Sequence, residues 1–284
     1  MKHFYIIPNQ NKDIDGRLSR EIAEFLKSRN ATCVIRKTEL QGGQGYTDAN
    51  DIPADTECII VIGGDGTMLA AARDIALKDL PLLGINMGNL GYLAEVDSKK
   101  VKEALECCLE DRFSIEERMM LAGQVRKADG TLYEDRALND IVVARTGDLR
   151  IVLYDICVDG KLLKKYEADG MIFSTPTGST GYSMSAGGPI VAPDAKLMVL
   201  TPICPHTLNT RSIVLGPDSV IEINMAPGRD GSLPSAGVTF DGRNGTPLTA
   251  GDSILIRKSD RTTKILKLSN DSFLEVLKRK MSDH

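Results

Sequence analysis

The 284-residue chain contains no tryptophan, and aromatic residues make up only 5% of it, which leaves few rings for stacking exposed bases. It also has no basic stripe. Its 35 Lys and Arg stand against 39 Asp and Glu, a net charge of −4, so nucleic acid is not an expected partner. No apolar run approaches the ~18 residues of a membrane span, and the stretch at 4–7 is far shorter than a signal peptide needs. A cytoplasmic protein without a membrane partner is expected. The six cysteines, at 33, 58, 107, 108, 157 and 204, form no Cys-x-x-Cys pair and no zinc-like spacing, so reduced, mostly buried thiols are expected. The chain does have an ordinary globular balance, 26% charged and 42% hydrophobic, with length for about two domains of ~150 residues.

Those two domains differ in pattern. Residues 1–112 alternate short apolar runs with helical periodicity: a strand at 3–8, then a helix within 13–29 with Leu18, Ile22, Phe25 and Leu26 on one face. A second strand at 32–36 leads to the glycine-rich loop 42–45. Then come Cys58-Ile-Ile-Val-Ile62, a run suited to a strand buried on both faces, a helix at 68–77 and a strand at 81–86. This βαβ…βα order predicts an α/β domain with an open, doubly wound, Rossmann-like sheet. Over 113–268 the pattern predicts an all-β sandwich, with ten strands at 120–126, 140–144, 151–158, 171–174, 197–201, 212–215, 220–225, 237–240, 253–257 and 263–268. A last amphipathic stretch, 273–281, predicts a C-terminal helix within 269–284 that packs back on the first domain.

The chemistry concentrates in Gly63-Gly-Asp-Gly-Thr67, between the buried strand and a helix. Glycines there allow close approach of a ligand, and the helix N-terminus offers N–H groups to phosphate. It is neither a P-loop nor a Gly-x-Gly-x-x-Gly turn. Beside a phosphate cradle, the Asp65 carboxylate suits orienting a hydroxyl or holding a metal, which marks it as a catalytic candidate; an N-terminal cap in a tight turn fits it nearly as well. A second cluster, 169–189, runs Asp-Gly-Met-Ile-Phe-Ser-Thr-Pro-Thr-Gly-Ser-Thr-Gly-Tyr-Ser-Met-Ser-Ala-Gly-Gly-Pro, and Pro176, Tyr182 and Pro189 make it too stiff for a linker. Its hydroxyls and helix-start N–H groups suit ribose or phosphate.

Together these segments resemble the NAD kinase family along almost the whole chain. The likeness rests on Gly63–Thr67, on Gly84-Ile-Asn-Met-Gly-Asn-Leu-Gly-Tyr-Leu93, on Leu138-Asn-Asp140, on 169–185, and on Pro202-Ile-Cys-Pro-His-Thr-Leu208. The resemblance implies transfer of the γ-phosphoryl group of ATP, or of a polyphosphate donor, to the adenosine-ribose 2′-hydroxyl of NAD, giving NADP. It implies Mg²⁺ on the donor, no tightly bound prosthetic group, no metal-ligating residue set, and a homodimer or homotetramer. Asp65 is then the proton acceptor. Gly63, Gly64, Gly66 and Thr67 hold the donor phosphates. Asp65, Gly66, Asn139, Asp140, Arg150, Glu167, Asp169, Thr180, Gly181, Tyr182, Ser183, Met184 and Ser185 contact NAD, with Asn139 and Asp140 on the adenosine half and Asp169 at the nicotinamide end.

Arg243 is a further candidate, and His206 is expected to be a structural histidine. The chain departs from the family pattern at Gly181, commonly Ala, and at Asp140, commonly Glu. A lipid kinase shares Gly-Gly-Asp-Gly-Thr but would not need the 169–185 signature. A non-catalytic NAD or NADP sensor would not need Asp65, and a hydrolase lacks its Gly-x-Ser-x-Gly elbow.

Overall fold

The apolar run 58–62 becomes the middle of a parallel sheet, where a strand covered on both faces has no polar side to show. In the computed structural model, residues 1–36, 47–88, 91–147, 151–207, 210–228, 231, 235–243, 245–269 and 271–282 are described. The chain divides into two units, Met1–Arg118 with Arg261–His284, and Met119–Asp260. The expected loop at 42–45 lies outside the described residues.

The first unit contains β1 (His3–Pro8), α1 (Arg17–Ser28), β2 (Thr32–Ile35), β3 (Cys58–Gly63), α2 (Asp65–Asp74), β4 (Leu82–Asn86), β5 (Val96–Asp97) and α3 (Val101–Leu109). Strand order is β2-β1-β3-β4, all parallel, with β5 added to β4. Ile60 stands opposite Ile6 on one side and Leu83 on the other, and all three are fully buried. Helix α1 buries Leu18, Ile22 and Leu26, spaced four apart as one stripe requires. Its first N–H groups, at Leu18 and Ser19, are satisfied by the buried Asp13 carboxylate at 2.9 and 3.1 Å. Helix α2 spans Asp65–Asp74, so it begins inside the glycine motif rather than after it.

The chain continues with β6 (Ser114–Arg126), β7 (Leu132–Ala137), β8 (Asp140–Arg145), β9 (Val152–Val158), β10 (Lys161–Ala168), β11 (Gly170–Ser174), α4 (Tyr182–Ser185), β12 (Met198–Ile203), β13 (Ile213–Leu215), β14 (Ile221–Met225), β15 (Ala236–Phe240), β16 (Thr246–Leu248), β17 (Ser253–Lys267) and α5 (Phe273–Ser282). In the second unit β13-β12-β11-β8-β15-β16 form one antiparallel sheet. Strands β10-β9-β14-β17 form another antiparallel array. One core cluster draws Val143, Phe173 and Leu200 from the first sheet and Tyr154, Ile223 and Ile254 from the second, which is sandwich packing. The fold is therefore α/β followed by an antiparallel β-sandwich. The units change over after Arg118, and residues 261–267 of β17 return to the first unit, where Ile265 pairs with Leu82 of β4. Helix α5 is also counted with the first unit.

All six cysteines are free, but only Cys58 and Cys108 are buried, and Cys204 is exposed, so burial is less general than expected. Among the described residues no helix is long and apolar enough to cross a membrane.

Candidate functional site

In the first unit, β3 ends at Gly63, and Gly64 is the extended cap residue of α2 without a side chain to cap with. Thr67 and Met68 N–H groups donate to Gly64 O at 2.9 and 3.1 Å, closing the first turn of α2. Asp65 is not the cap. Its half-buried carboxylate turns toward the segment after β4 and accepts the backbone N–H of Tyr92 on Oδ2 (2.7 Å) and those of Leu93 and Ala94 on Oδ1 (3.0 and 3.2 Å). A Cβ on Gly91 would overlap Asp65 Oδ1, so that position needs glycine. Each carboxylate oxygen has two lone pairs, so Oδ2 retains one for a hydroxyl donor. Burial, and secondly the Asp65 charge, raise the Tyr92 phenol above its ordinary range. Thr67 Oγ1 accepts from Asn9 Nδ2 at 2.8 Å, a partner that sequence reasoning missed.

In the second unit the Asn139–Asp140 pair opens β8. Asp241, in the left-handed region at φ 49°, accepts the N–H groups of Leu138 (2.8 Å), Asn139 (2.8 Å) and Asp140 (3.1 Å). The turn after β11 is tied to the same segment: Thr175 N–H donates to Asn139 O (2.9 Å) and Thr175 Oγ1 to Leu138 O (2.6 Å). Asp140 is buried, and burial together with the Asp241 charge pushes its carboxyl up to about 7. Among the described residues, Asn139 Oδ1 is buried without a hydrogen-bond partner, an acceptor that a ligand hydroxyl or amine would satisfy.

The hydroxyls expected to grip a ligand mostly hold the turn itself. Ser179 Oγ donates to Pro176 O (2.7 Å) and accepts from Val191 N–H (2.9 Å). Ser183 is fully buried against Thr201 Oγ1 (2.9 Å), so its hydroxyl faces the interior. Thr180 Oγ1 lies 3.3 Å from Thr177 O. Tyr182, Met184 and Ser185 are exposed and remain available. At Gly181 a Cβ would lie 3.4 Å from Asn139 Nδ2 and 4.0 Å from Asp140 Oδ2, which places this position beside the Asn139–Asp140 pair.

Asp169 and Glu167 lie before β11, while Asp140 faces Ser174 at its far end. Five strand residues separate them, about 17 Å. Asp169 pairs with Arg145 at 3.0 Å, and Glu167 O accepts the His206 N–H at 2.9 Å; the His206 side chain is exposed. Arg243 N–H donates to Phe240 O at 3.1 Å, beside Asp241. Arg150 lies outside the described residues.

A parallel α/β unit with Gly-Gly-Asp-Gly-Thr opening a helix, together with an antiparallel sandwich carrying a Thr-Pro-Thr-Gly-Ser-Thr turn, defines a two-domain kinase fold. The ATP-NAD kinase N-terminal domain profile matches residues 4–113, and the ATP-NAD kinase C-terminal domain profile matches residues 138–268. The NAD kinase of Lachnospira eligens is 45% identical over 293 aligned residues, covering 99% of this chain and all of that one. The NAD kinase of Lachnoclostridium phytofermentans is 41% identical, with full coverage of both. Among solved structures, yeast NADH kinase complexed with NADH superposes with a TM-score of 0.86 at 24% identity, over 99% of this chain and 88% of that one. An Archaeoglobus fulgidus NAD kinase in complex with ATP superposes at 0.79, also at 24% identity, over all of both chains. The chain belongs to the NAD kinase family.

Proposed function

We propose that the protein transfers the γ-phosphoryl group of ATP to the adenosine-ribose 2′-hydroxyl of NAD. The bond from the 2′-oxygen to Pγ forms, the bond from Pγ to the ADP oxygen breaks, and the hydroxyl proton passes to Asp65 and on to solvent. The observation that carries this reading is the Asp65 carboxylate, fixed by three backbone N–H groups at the start of α2, with Oδ2 accepting one of them among the described residues. In a loose phosphoryl transition state little basicity is needed early, so aiming the 2′-oxygen and taking its proton late is the main contribution.

Gly63, Gly64, Gly66 and Thr67 cradle the donor phosphates. In the sandwich, the orphaned Asn139 Oδ1 and the carboxyl of Asp140 contact the adenosine half, Tyr182 offers a ring face, Met184 and Ser185 border it, and Asp169 meets the nicotinamide end. Mg²⁺ enters with the triphosphate as part of the substrate and neutralises its charge. Among the described residues no cluster of three or more His, Cys, Asp or Glu side chains stands ready for a resident ion. The protein works in the cytoplasm as a homodimer or homotetramer.

The acceptor atom provides the test. With MgATP, NAD should give NADP, while 2′-deoxy-NAD should bind, compete with NAD and accept no phosphate. Parallel reactions with polyphosphate and with NADH define the donor and the tolerated acceptor. Phosphorylation of the deoxy analogue, or of a lipid alcohol in place of NAD, would contradict the reading.

A further inference from the structure

Lys12 lies outside every motif considered so far, in the turn after β1, yet that turn is fastened to the glycine motif. Asn9 N–H donates to Ile62 O (2.8 Å), and Asn9 Nδ2 donates to Thr67 Oγ1 (2.8 Å). Lys12 and Asp13 N–H groups donate back to Asn9 O at 3.0 and 2.8 Å, while the buried Asp13 carboxylate caps α1. From this fixed base the Lys12 ammonium reaches over the glycines. Its Nζ stands 3.2 Å from the point that a Cβ on Gly64 would occupy and 3.6 Å from the corresponding point on Gly88. Lys12 is exposed, and among the described residues its ammonium has no ion-pair partner. A cation at the N-terminal end of α2 has the same sign as the helix dipole there, an arrangement that an anion would relieve.

A second observation comes from β4. Asn86 is only 4% exposed, and among the described residues its Oδ1 is buried without a hydrogen-bond partner, while its Nδ2 donates to Gly88 O at 3.0 Å. That orphaned oxygen faces the same turn, 4.0 Å from the Gly64 Cβ point. An ionised phosphate has no proton to offer it; an ammonium has three.

We propose that Lys12 binds the phosphate oxygens of the nucleotide donor over Gly64–Gly66, and that Asn86 positions it by accepting one ammonium N–H when phosphate is present. The proposal rests on the reading of Gly63–Thr67 as the donor-phosphate turn. Charge-assisted bonds to phosphate are among the stronger hydrogen bonds, so loss of Lys12 should be felt specifically by the nucleotide.

Kinetics and ligand-induced thermal shifts on the full chain test it, with MgADP and NAD added separately as probes. Lys12→Ala should raise KM for ATP at least tenfold, leave KM for NAD within twofold, and abolish most of the MgADP-induced shift while preserving the NAD-induced one. Lys12→Arg should recover part of the ATP affinity, because the charge is kept on a different geometry. Asn86→Ala should raise KM for ATP in the parent but add nothing in the Lys12→Ala background, as expected for a residue that acts through Lys12. An unchanged ATP KM and MgADP shift in Lys12→Ala, or equal losses for ATP and NAD, would overturn the proposal. If the unmodified protein binds MgADP yet makes no NADP, the activity reading fails, and the shift comparison still decides the role of Lys12.

Discussion

A carboxylate that accepts three backbone N–H groups is held rather than free to swing, so Asp65 serves the loop at 92–94 as well as any hydroxyl brought to it. Asp65→Asn tests both duties. The amide presents an NH₂ where a backbone N–H also donates, so the variant should lose at least one of these bonds and about 1–3 kcal/mol of stability. Turnover should fall by about two orders of magnitude or more, with the NAD-induced thermal shift retained. Near-normal turnover would remove Asp65 from the chemistry. Asp140 makes a different prediction, because its carboxyl is pushed up to about 7 by burial and by Asp241, from an ordinary value near 3.8. The folded state then holds a proton that the unfolded chain has released. Stability from this group is full below the unfolded value and lost as pH rises through about 7. Asp140→Asn keeps a neutral group there, so its melting temperature relative to the parent should rise between pH 5 and 8. A parallel pH dependence in the two proteins would contradict the assignment.

At the level of elements, the turn between β11 and α4 shows what the hydroxyl-rich segment is for. Thr175, Ser179 and Ser183 use their hydroxyls to lock the turn against Leu138, Val191 and Thr201, and the ligand-facing work falls to the positions between and after them. A Cβ on Gly178 would overlap the backbone O of Asn139. Gly178→Ala should therefore lower the melting temperature and NAD affinity together, leaving the MgADP-induced shift intact; a variant with normal NAD binding would argue that the turn does not position Asn139. The sequence pattern made β3, α1 and most sandwich strands legible, since their apolar periods are set by burial. It missed β10 because Lys161, Lys164 and Lys165 mask a sheet-edge strand, although Asp159-Gly160, both at positive φ, is a hairpin signal. It divided β17 at the polar stretch 258–262, where Lys258, Asp260 and Arg261 are exposed, and left out β5, β7, β16 and α3. Asp65, Asn139 and Asp140 were readable from contiguous motifs. Asn9, Lys12 and Asp241 were not, because only the fold brings them there: Asp241 binds the Asp140 N–H across 101 residues of sequence.

At the level of the whole molecule, the chain is two units with separate cores, one parallel and helix-covered, one an antiparallel sandwich, joined by strands that contribute residues to both. Each carries its own open polar atoms: Asn86 Oδ1 in the first, Asn139 Oδ1 in the second. That division predicts separable ligand effects, with nucleotide phosphates felt by variants in the first unit and the dinucleotide's adenosine by variants in the second. Light scattering should give a mass that is two or four times the 30.8 kDa of one chain, and a monomer at assay concentration that is fully active would contradict the proposed oligomer. The most direct measurement incubates the purified protein with MgATP and NAD and reads the product with an NADP-specific dehydrogenase, confirming the 2′-phosphate by NMR. NADP should accumulate in step with ADP, and Asp65→Asn should suppress both. ADP released without NADP, or phosphate found on any atom other than the adenosine 2′-oxygen, would contradict the proposed activity.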